Sequence, residues 1–303
     1  MKIAAALPYS PSLALIRASD FLQMVRPGLG LMALVTVGSG WLIARGWEPD
    51  WSGFACAMVG TALAFAGASA LNQVFERQSD ALMPRTANRP LPAGRIRPIS
   101  AMALGCTLCG GGLVCLLSGN QILAAALCSL ALVGYVFIYT PLKRQTTLST
   151  LIGAIPGALL PLIGWAAAAH QLDGGALVLF LILFLWQIPH FLAIAWIYRD
   201  EYARAGLYVL PVFDPDGVQT GRQMTRYTFL LLLACLMHFV LGHGSWISGL
   251  GTSLLGVFFL NAVLVFARKP STDHARQVFR TSLLFLPGLL LLFVLDATLF
   301  NGT

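Results

Sequence analysis

Polar positions are so sparse along this chain that they punctuate it instead of alternating with the apolar ones. Apolar runs of about 20 residues recur, the length an α-helix needs to cross a hydrocarbon core of roughly 30 Å. They predict nine spans, at 28–45, 52–74, 99–118, 121–140, 149–169, 174–197, 226–243, 246–267 and 282–300. The expected fold class is an all-α integral membrane protein, with a leader over 1–26 and a single transmembrane domain over 27–303. Small residues crowd 60–70 and 105–112, which predicts helices whose backbones meet closely there.

Composition agrees: 57% of the 303 residues are apolar and 10% charged, against about 25% charged in a soluble domain. Cys56, Cys106, Cys109, Cys115, Cys128 and Cys235 all fall inside apolar runs and read as small hydrophobes, not as a disulfide framework. The C-x-x-C pair at Cys106 and Cys109 has no second pair or nearby histidine to complete a zinc site. In the leader, Pro8 and Pro11 interrupt the one apolar stretch, so it is expected to be retained in the cytoplasm and not cleaved as a signal peptide.

Charge sets the orientation. With nine spans, the leader and the loops after spans 2, 4, 6 and 8 share one side, and they carry 18 of the 19 Lys and Arg residues, leaving Arg45 opposite. Positive loops stay inside, so this side is expected to be cytoplasmic, with the C-terminus opposite. The net charge of +7 is a topology signal, and no soluble basic patch calls for nucleic acid. Glu48, Asp50 and Asp173 fall in loops of the opposite side and Asp296 in the last span, whereas the loops after spans 2 and 6 hold clustered acids on the basic side. Chemistry is expected at those two loops.

Span 2 runs into Asn72, Glu76 and Asp80 at four-residue steps, which places all three on one face if the helix continues. Carboxylate and amide oxygens suit Mg²⁺, an ion that binds through one or two carboxylates plus substrate phosphates. Arg85 and Arg89 follow, four apart, and arginine recognises phosphate bidentately; Arg95 and Arg97 read as topology anchors. Acidic residues at the end of an apolar helix cost free energy and need a reason. Span 6 carries Gln187, Pro189 and His190, then exits through Asp200 and Glu201, a second acidic group on the same side. The loop after span 4 holds Tyr139, Lys143 and Arg144, a hydroxyl and two cations suited to diphosphate oxygens. The basic loop after span 8, with Arg268, Lys269, Arg276 and Arg280, reads as anchor or lipid contact. His190 reads either as an interhelical hydrogen bond or as a functional group. His170, His238 and His243 lie toward the opposite side and read as structural.

In these motifs the sequence resembles the UbiA superfamily of intramembrane prenyltransferases, over nearly its whole length. The resemblance is carried by Asn72-x-x-x-Glu76-x-x-x-Asp80, Met83-x-Arg85-Thr-x-x-Arg89-Pro90-Leu91, Tyr139-Thr-x-Leu-Lys143-Arg144, residues 153–165 and Trp186-Gln187-x-Pro189-His190-Phe191. Glu76 at the middle acidic position and the Arg-Thr-x-x-Arg-Pro run make it similar to the members that farnesylate heme. The family commonly has Asp-Tyr where this chain has Glu201-Tyr202 preceded by Asp200, so both acids are candidates for the second metal-binding role.

The resemblance implies a nine-helix bundle around a central cavity in the cell's inner (plasma) membrane, with a site facing the cytoplasm. Farnesyl diphosphate would be the donor, heme B the acceptor and substrate, and two or more Mg²⁺ ions the cofactor. Asn72, Glu76, Asp80, Asp200 and Glu201 would be the catalytic, metal-holding set. Arg85, Arg89, Tyr139, Lys143 and Arg144 would hold diphosphate, and Gln187 and His190 would contact heme, the iron included. Membrane lipid surrounds such a chain, and a heme A synthase would consume its product. Two alternatives stand beside this reading: a phenolic acceptor on the same scaffold, and an ion-coupled transporter built from Gly-rich helices.

Overall fold

The computed structural model describes residues 17–46, 50–241 and 244–299. Residues 1–16 of the expected leader, Glu48, His243 and the last four residues lie outside the described residues. Helix α1 spans Ala18–Val25, α2 Pro27–Arg45, α3 Trp51–Asp80, α4 Pro98–Ser118, α5 Ile122–Val133 and α6 Thr140–Leu142, a π-turn over Gly134–Tyr139 joining the last two. Then follow α7 Ser149–Ala169, α8 Gly174–Ile197, α9 Arg199–Arg204, α10 Val218–Val240, α11 Trp246–Arg268 and α12 Thr272–Leu299. Among the described residues nine helical segments are long and apolar enough to cross a membrane, α5 to α6 counting as one. The chain is a multi-pass membrane protein.

Helix ends are set locally. Pro27 and Pro98 open α2 and α4, where a missing N–H costs nothing. Asp50, Asp173 and Ser245 cap α3, α8 and α11 by accepting from Gly53, Ala176 and Ser248 N–H groups. Side-chain burial in lipid supplies little net drive between helices, so association rests on close packing and interhelical hydrogen bonds. The predicted small-residue approach is observed: a Cβ on Gly67 of α3 would sit 2.6 Å from the Gly105 carbonyl oxygen of α4.

Helix α7 is the hinge of the architecture. One face joins a core with α2, α3, α4 and α5 around Trp41, Leu116 and Ile163. The other joins a larger core with α8, α10, α11 and α12 around Ile182, Phe259 and Phe285. Pro156, Pro161, Pro189 and Pro287 lie inside α7, α8 and α12 without ending them, as packed neighbours allow.

Two sequence expectations are corrected. Helix α10 begins at Val218 instead of 226 and α12 at Thr272 instead of 282. Their opening turns carry Arg222, Arg226, Arg276 and Arg280, which remove them from an apolar window although the backbone continues the same i to i−4 ladder beyond the hydrocarbon. The last residues of the expected leader form helix α1, ahead of the first span. Helix α1 is fastened to the bundle by Arg95, whose Nε donates to Asp20 Oδ1 at 2.8 Å, and by Gln73, whose Nε2 donates to the Met24 carbonyl at 2.9 Å. Arg95 is thus a clamp, where sequence read it as a topology anchor.

Candidate active site

Helix α3 stays helical to Asp80, so the four-residue spacing delivers one wall as expected. Asn72 is fully buried and Asp80 is 1% exposed. Asn72 Nδ2 donates to Thr140 Oγ1 at 3.0 Å, while its Oδ1 is buried with no donor. Thr140 in turn donates to the Tyr135 carbonyl at 2.8 Å. The π-turn over Gly134–Tyr139 sets the register that brings Thr140 and Tyr139 to this wall, the kind of local irregularity that recurs at functional sites. Gly153 of α7 lies against the Tyr139 ring so closely that any side chain there would displace it.

Two ion pairs lock the acids to bases from other segments. Lys143 Nζ meets Glu76 Oε1 at 2.6 Å and Arg89 Nη1 meets Asp80 Oδ2 at 2.7 Å. Lys143 also lies over the Tyr139 ring, 4.3 Å from its centroid. Burial works to lower the Lys143 pKa, but the negative charge around it, the Glu76 carboxylate foremost, outweighs that, so the ammonium is held above the ordinary lysine value. Burial and then the charge of Arg26 pull Arg89 below the ordinary arginine value, against Asp80; arginine remains charged nonetheless. Removing one member of a buried pair costs roughly 3–5 kcal/mol by stranding the other.

Arg26 is the residue the sequence reading missed. It joins α1 to α2 in a left-handed conformation with φ 50° and ψ 62°, and its Nη2 is buried with no partner. Its guanidinium is within electrostatic range of Glu76, Asp80 and Arg89. A non-glycine residue held in that region and followed by proline stores strain of order 1–3 kcal/mol. Nothing in the sequence separates this arginine from the other basic anchors, because its place depends on α1 docking against α3.

The second constellation meets the first at the same end. Arg85 lies over the Tyr198 ring at 4.5 Å and 6.0 Å from the Tyr202 ring, and Met83 packs with Ala205 and Leu207. The Tyr208 N–H donates to the Lys143 carbonyl at 2.6 Å, tying the α6–α7 and α9–α10 connections together. Asp200 and Glu201 part company here. The Asp200 side chain is 92% exposed beside Arg199, whereas Glu201 Oε2 is buried without a donor. A cavity of about 270 Å³ opens at this end, lined by Glu76, Ser79, Thr140, Arg144 and Leu207 among others.

Gln187 and His190 do not share a surface. Gln187 Nε2 donates to the Ala154 and Leu183 carbonyls, fastening α8 to α7 over Gly157. His190 faces α12: its Nδ1 lies 2.8 Å from Ser282 Oγ, and its ring stacks on Trp186 at 4.8 Å and meets the Phe279 ring at a tilt, 5.1 Å away.

Comparison with known proteins agrees with this fold. Residues 33–286 match the UbiA prenyltransferase family. A protoheme IX farnesyltransferase of Solibacter usitatus is 41% identical over 286 residues, covering 91% of this chain and 98% of that one. The solved structure of a digeranylgeranylglyceryl phosphate synthase superposes with a TM-score of 0.78 at 19% identity, covering 92% of this chain and 98% of that one. A UbiA homologue from Archaeoglobus fulgidus bound to GPP and Mg²⁺ superposes at 0.63 with 14% identity, covering 90% and 99%.

Proposed function

The chain belongs to the UbiA prenyltransferase family, and on that premise we propose that it transfers the farnesyl group of farnesyl diphosphate to a vinyl group of heme B, giving heme O and diphosphate. One observation carries the donor half: acids and cations from four segments converge at one mouth of an apolar bundle and leave three buried polar atoms, Asn72 Oδ1, Glu201 Oε2 and Arg26 Nη2, without partners. Unpaired buried polar atoms are costly, and a diphosphate with its counter-ion is the ligand that answers both signs at once. The acceptor half rests on the relative's identity over nearly the full length of both chains.

The donor set fits Mg²⁺. Asn72, Glu76, Asp80 and Glu201 present hard oxygens, and Glu76 and Asp80 each commit one oxygen to a cation. Among the described residues no three His, Cys, Asp or Glu side chains form a preassembled cage, in keeping with an ion that takes one or two carboxylates and completes its shell with phosphate. Asp200 points away, so Glu201 takes the second acidic role in this reading. Bound Mg²⁺ would neutralise diphosphate charge and favour its departure.

Arg26, Arg85, Arg89, Lys143 and Arg144 would hold diphosphate oxygens, with the Tyr139 hydroxyl beside them. Their fixed charges stabilise the electron pair that leaves with diphosphate as the allylic C–O bond breaks. The farnesyl carbon bonds to one vinyl carbon of heme and water supplies hydroxyl to its neighbour, releasing a proton. The farnesyl chain would lie in the apolar interior, which limits premature hydrolysis. His190 would contact heme through Nε2, since Ser282 engages Nδ1, and Gln187 would shape the wall beside it. The basic end would face the cytoplasm from the plasma membrane, and a heme A synthase would draw off the product.

Expression of the chain in cells making only heme B tests the reading directly. Extracted pigment should contain heme O. Membranes supplied with farnesyl diphosphate and either heme or a hydroxybenzoate separate the acceptors, and prenylated hydroxybenzoate without heme O would overturn the assignment.

A further inference from the structure

A second basic feature lies apart from the residues above. Helices α10 and α11 touch at their basic ends, where a Cβ on Gly221 would come within 2.9 Å of Ala267 Cα. Beside that contact a groove of about 380 Å³ opens, lined by Val218, Arg222, Thr225, Arg226, Leu264 and Ala267. Arg222 and Arg226 are one helical turn apart and exposed. No acidic side chain pairs with either among the described residues. Asp214, the buried acid ahead of α10, accepts from the Thr220 N–H at 2.6 Å, and none of the residues lining the groove is acidic.

The walls above the arginines turn apolar at once. On α10 the face of Arg222 and Arg226 continues through Phe229 and Leu233, 50% and 59% exposed. On α11 the face of Leu264 continues through Val257 and Leu254, 66% and 65% exposed. The groove therefore has two unpaired cations at the level where head groups lie and hydrocarbon-facing walls beyond them.

We propose that this groove is a binding site for one anionic phospholipid, its phosphate held between Arg222 and Arg226 and its acyl chains laid along α10 and α11. Topology alone requires basic residues at this end, but it does not require two of them to line one groove with no acidic residue in its lining. A zwitterionic lipid offers the same phosphate together with an ammonium that the pair would repel, so selectivity for net negative charge follows. None of Glu76, Asp80, Arg89 or Lys143 lines the groove, which separates it from the transfer site.

Native mass spectrometry of the full chain in detergent, titrated with phosphatidylglycerol or with phosphatidylcholine of the same acyl chains, reads the site. One phosphatidylglycerol should be retained in preference to phosphatidylcholine, with apparent affinity falling about 30-fold in Arg222→Gln/Arg226→Gln, the combined effect of two surface cations. Arg222→Lys/Arg226→Lys should recover most of it, and Arg276→Gln/Arg280→Gln should leave it unchanged, which separates this groove from general basicity. Equal retention of both lipids, or undiminished retention in the glutamine variant, overturns the proposal. Displacement of the lipid by farnesyl diphosphate at matching concentration also overturns it, because the groove would then serve the donor. Melting temperature, recorded for each variant, shows that loss of lipid is not loss of fold.

Discussion

The two ends of this bundle use the same residue types for different ends. At the end opposite the basic loops, each described carboxylate accepts a backbone N–H at the start of a helix, Asp50 also pairing with Arg45 at 3.5 Å. Asp50 accepts from Gly53 N–H and the Ser52 hydroxyl, Asp173 from Ala176 N–H, and Asp296 from both the N–H and the hydroxyl of Ser245 at 2.9 and 2.6 Å. At the basic end, Glu76 and Asp80 are paired with Lys143 and Arg89, and Glu201 Oε2 is buried without a donor. Asp214 is the exception there, a helix cap like those opposite. The lesson is physical: a satisfied buried carboxylate is architecture, while a cluster with unspent oxygens and cations is poised for a ligand. It also counts against the transporter alternative, since Asp296, the acid near the far end of the last span, is engaged by Ser245 at the start of α11.

The comparison breaks most sharply on the first wall. Glu76→Gln and Asp80→Asn keep shape and remove charge, and heme O formation in isolated membranes should fall about 10²- to 10³-fold, the range for loss of one electrostatic catalytic group. Rates near wild type would sink the mechanism. Arg26→Gly should lower heme O formation about 10- to 100-fold with weaker use of farnesyl diphosphate, yet leave the melting temperature unchanged or raised, because glycine relieves the left-handed strain. A drop in melting temperature that accounts for the lost rate would make Arg26 structural.

A smaller contrast separates neighbours. Glu201→Gln should cost about tenfold or more in rate through the same loss of charge, while Asp200→Asn, altering an exposed side chain, should stay within about twofold. The reverse order would return the second acidic role to Asp200. Least of all should change at the opposite end. Asp296→Asn should destabilise the protein by roughly 2 kcal/mol through weakened charge-assisted hydrogen bonds, read as an earlier thermal transition, with heme O made per folded molecule unaltered.

Much of this was legible in the chain before folding. Run length located the nine crossings, since transfer into hydrocarbon is a local property of about 20 residues. The alternation of basic loops fixed which ends lie together. Helical period alone put Asn72, Glu76 and Asp80 on one face, because α3 is continuous through them. The amphipathic openings of α10 and α12 escaped the same reasoning, their arginines lowering local hydropathy without interrupting the backbone ladder.

What tertiary structure alone decided is which groups meet. The pairing of Lys143 with Glu76 spans 67 residues and that of Arg95 with Asp20 spans 75, separations at which spacing carries no information. The inward turn of Glu201 over Asp200, the π-turn that carries Thr140 to Asn72, the parting of Gln187 from His190 and the placing of Arg26 all follow from how α1, α7 and α12 pack. Local chemistry selected the spans and listed the acids and bases; interhelical packing, which acts only once the helices exist, chose the few that share a site.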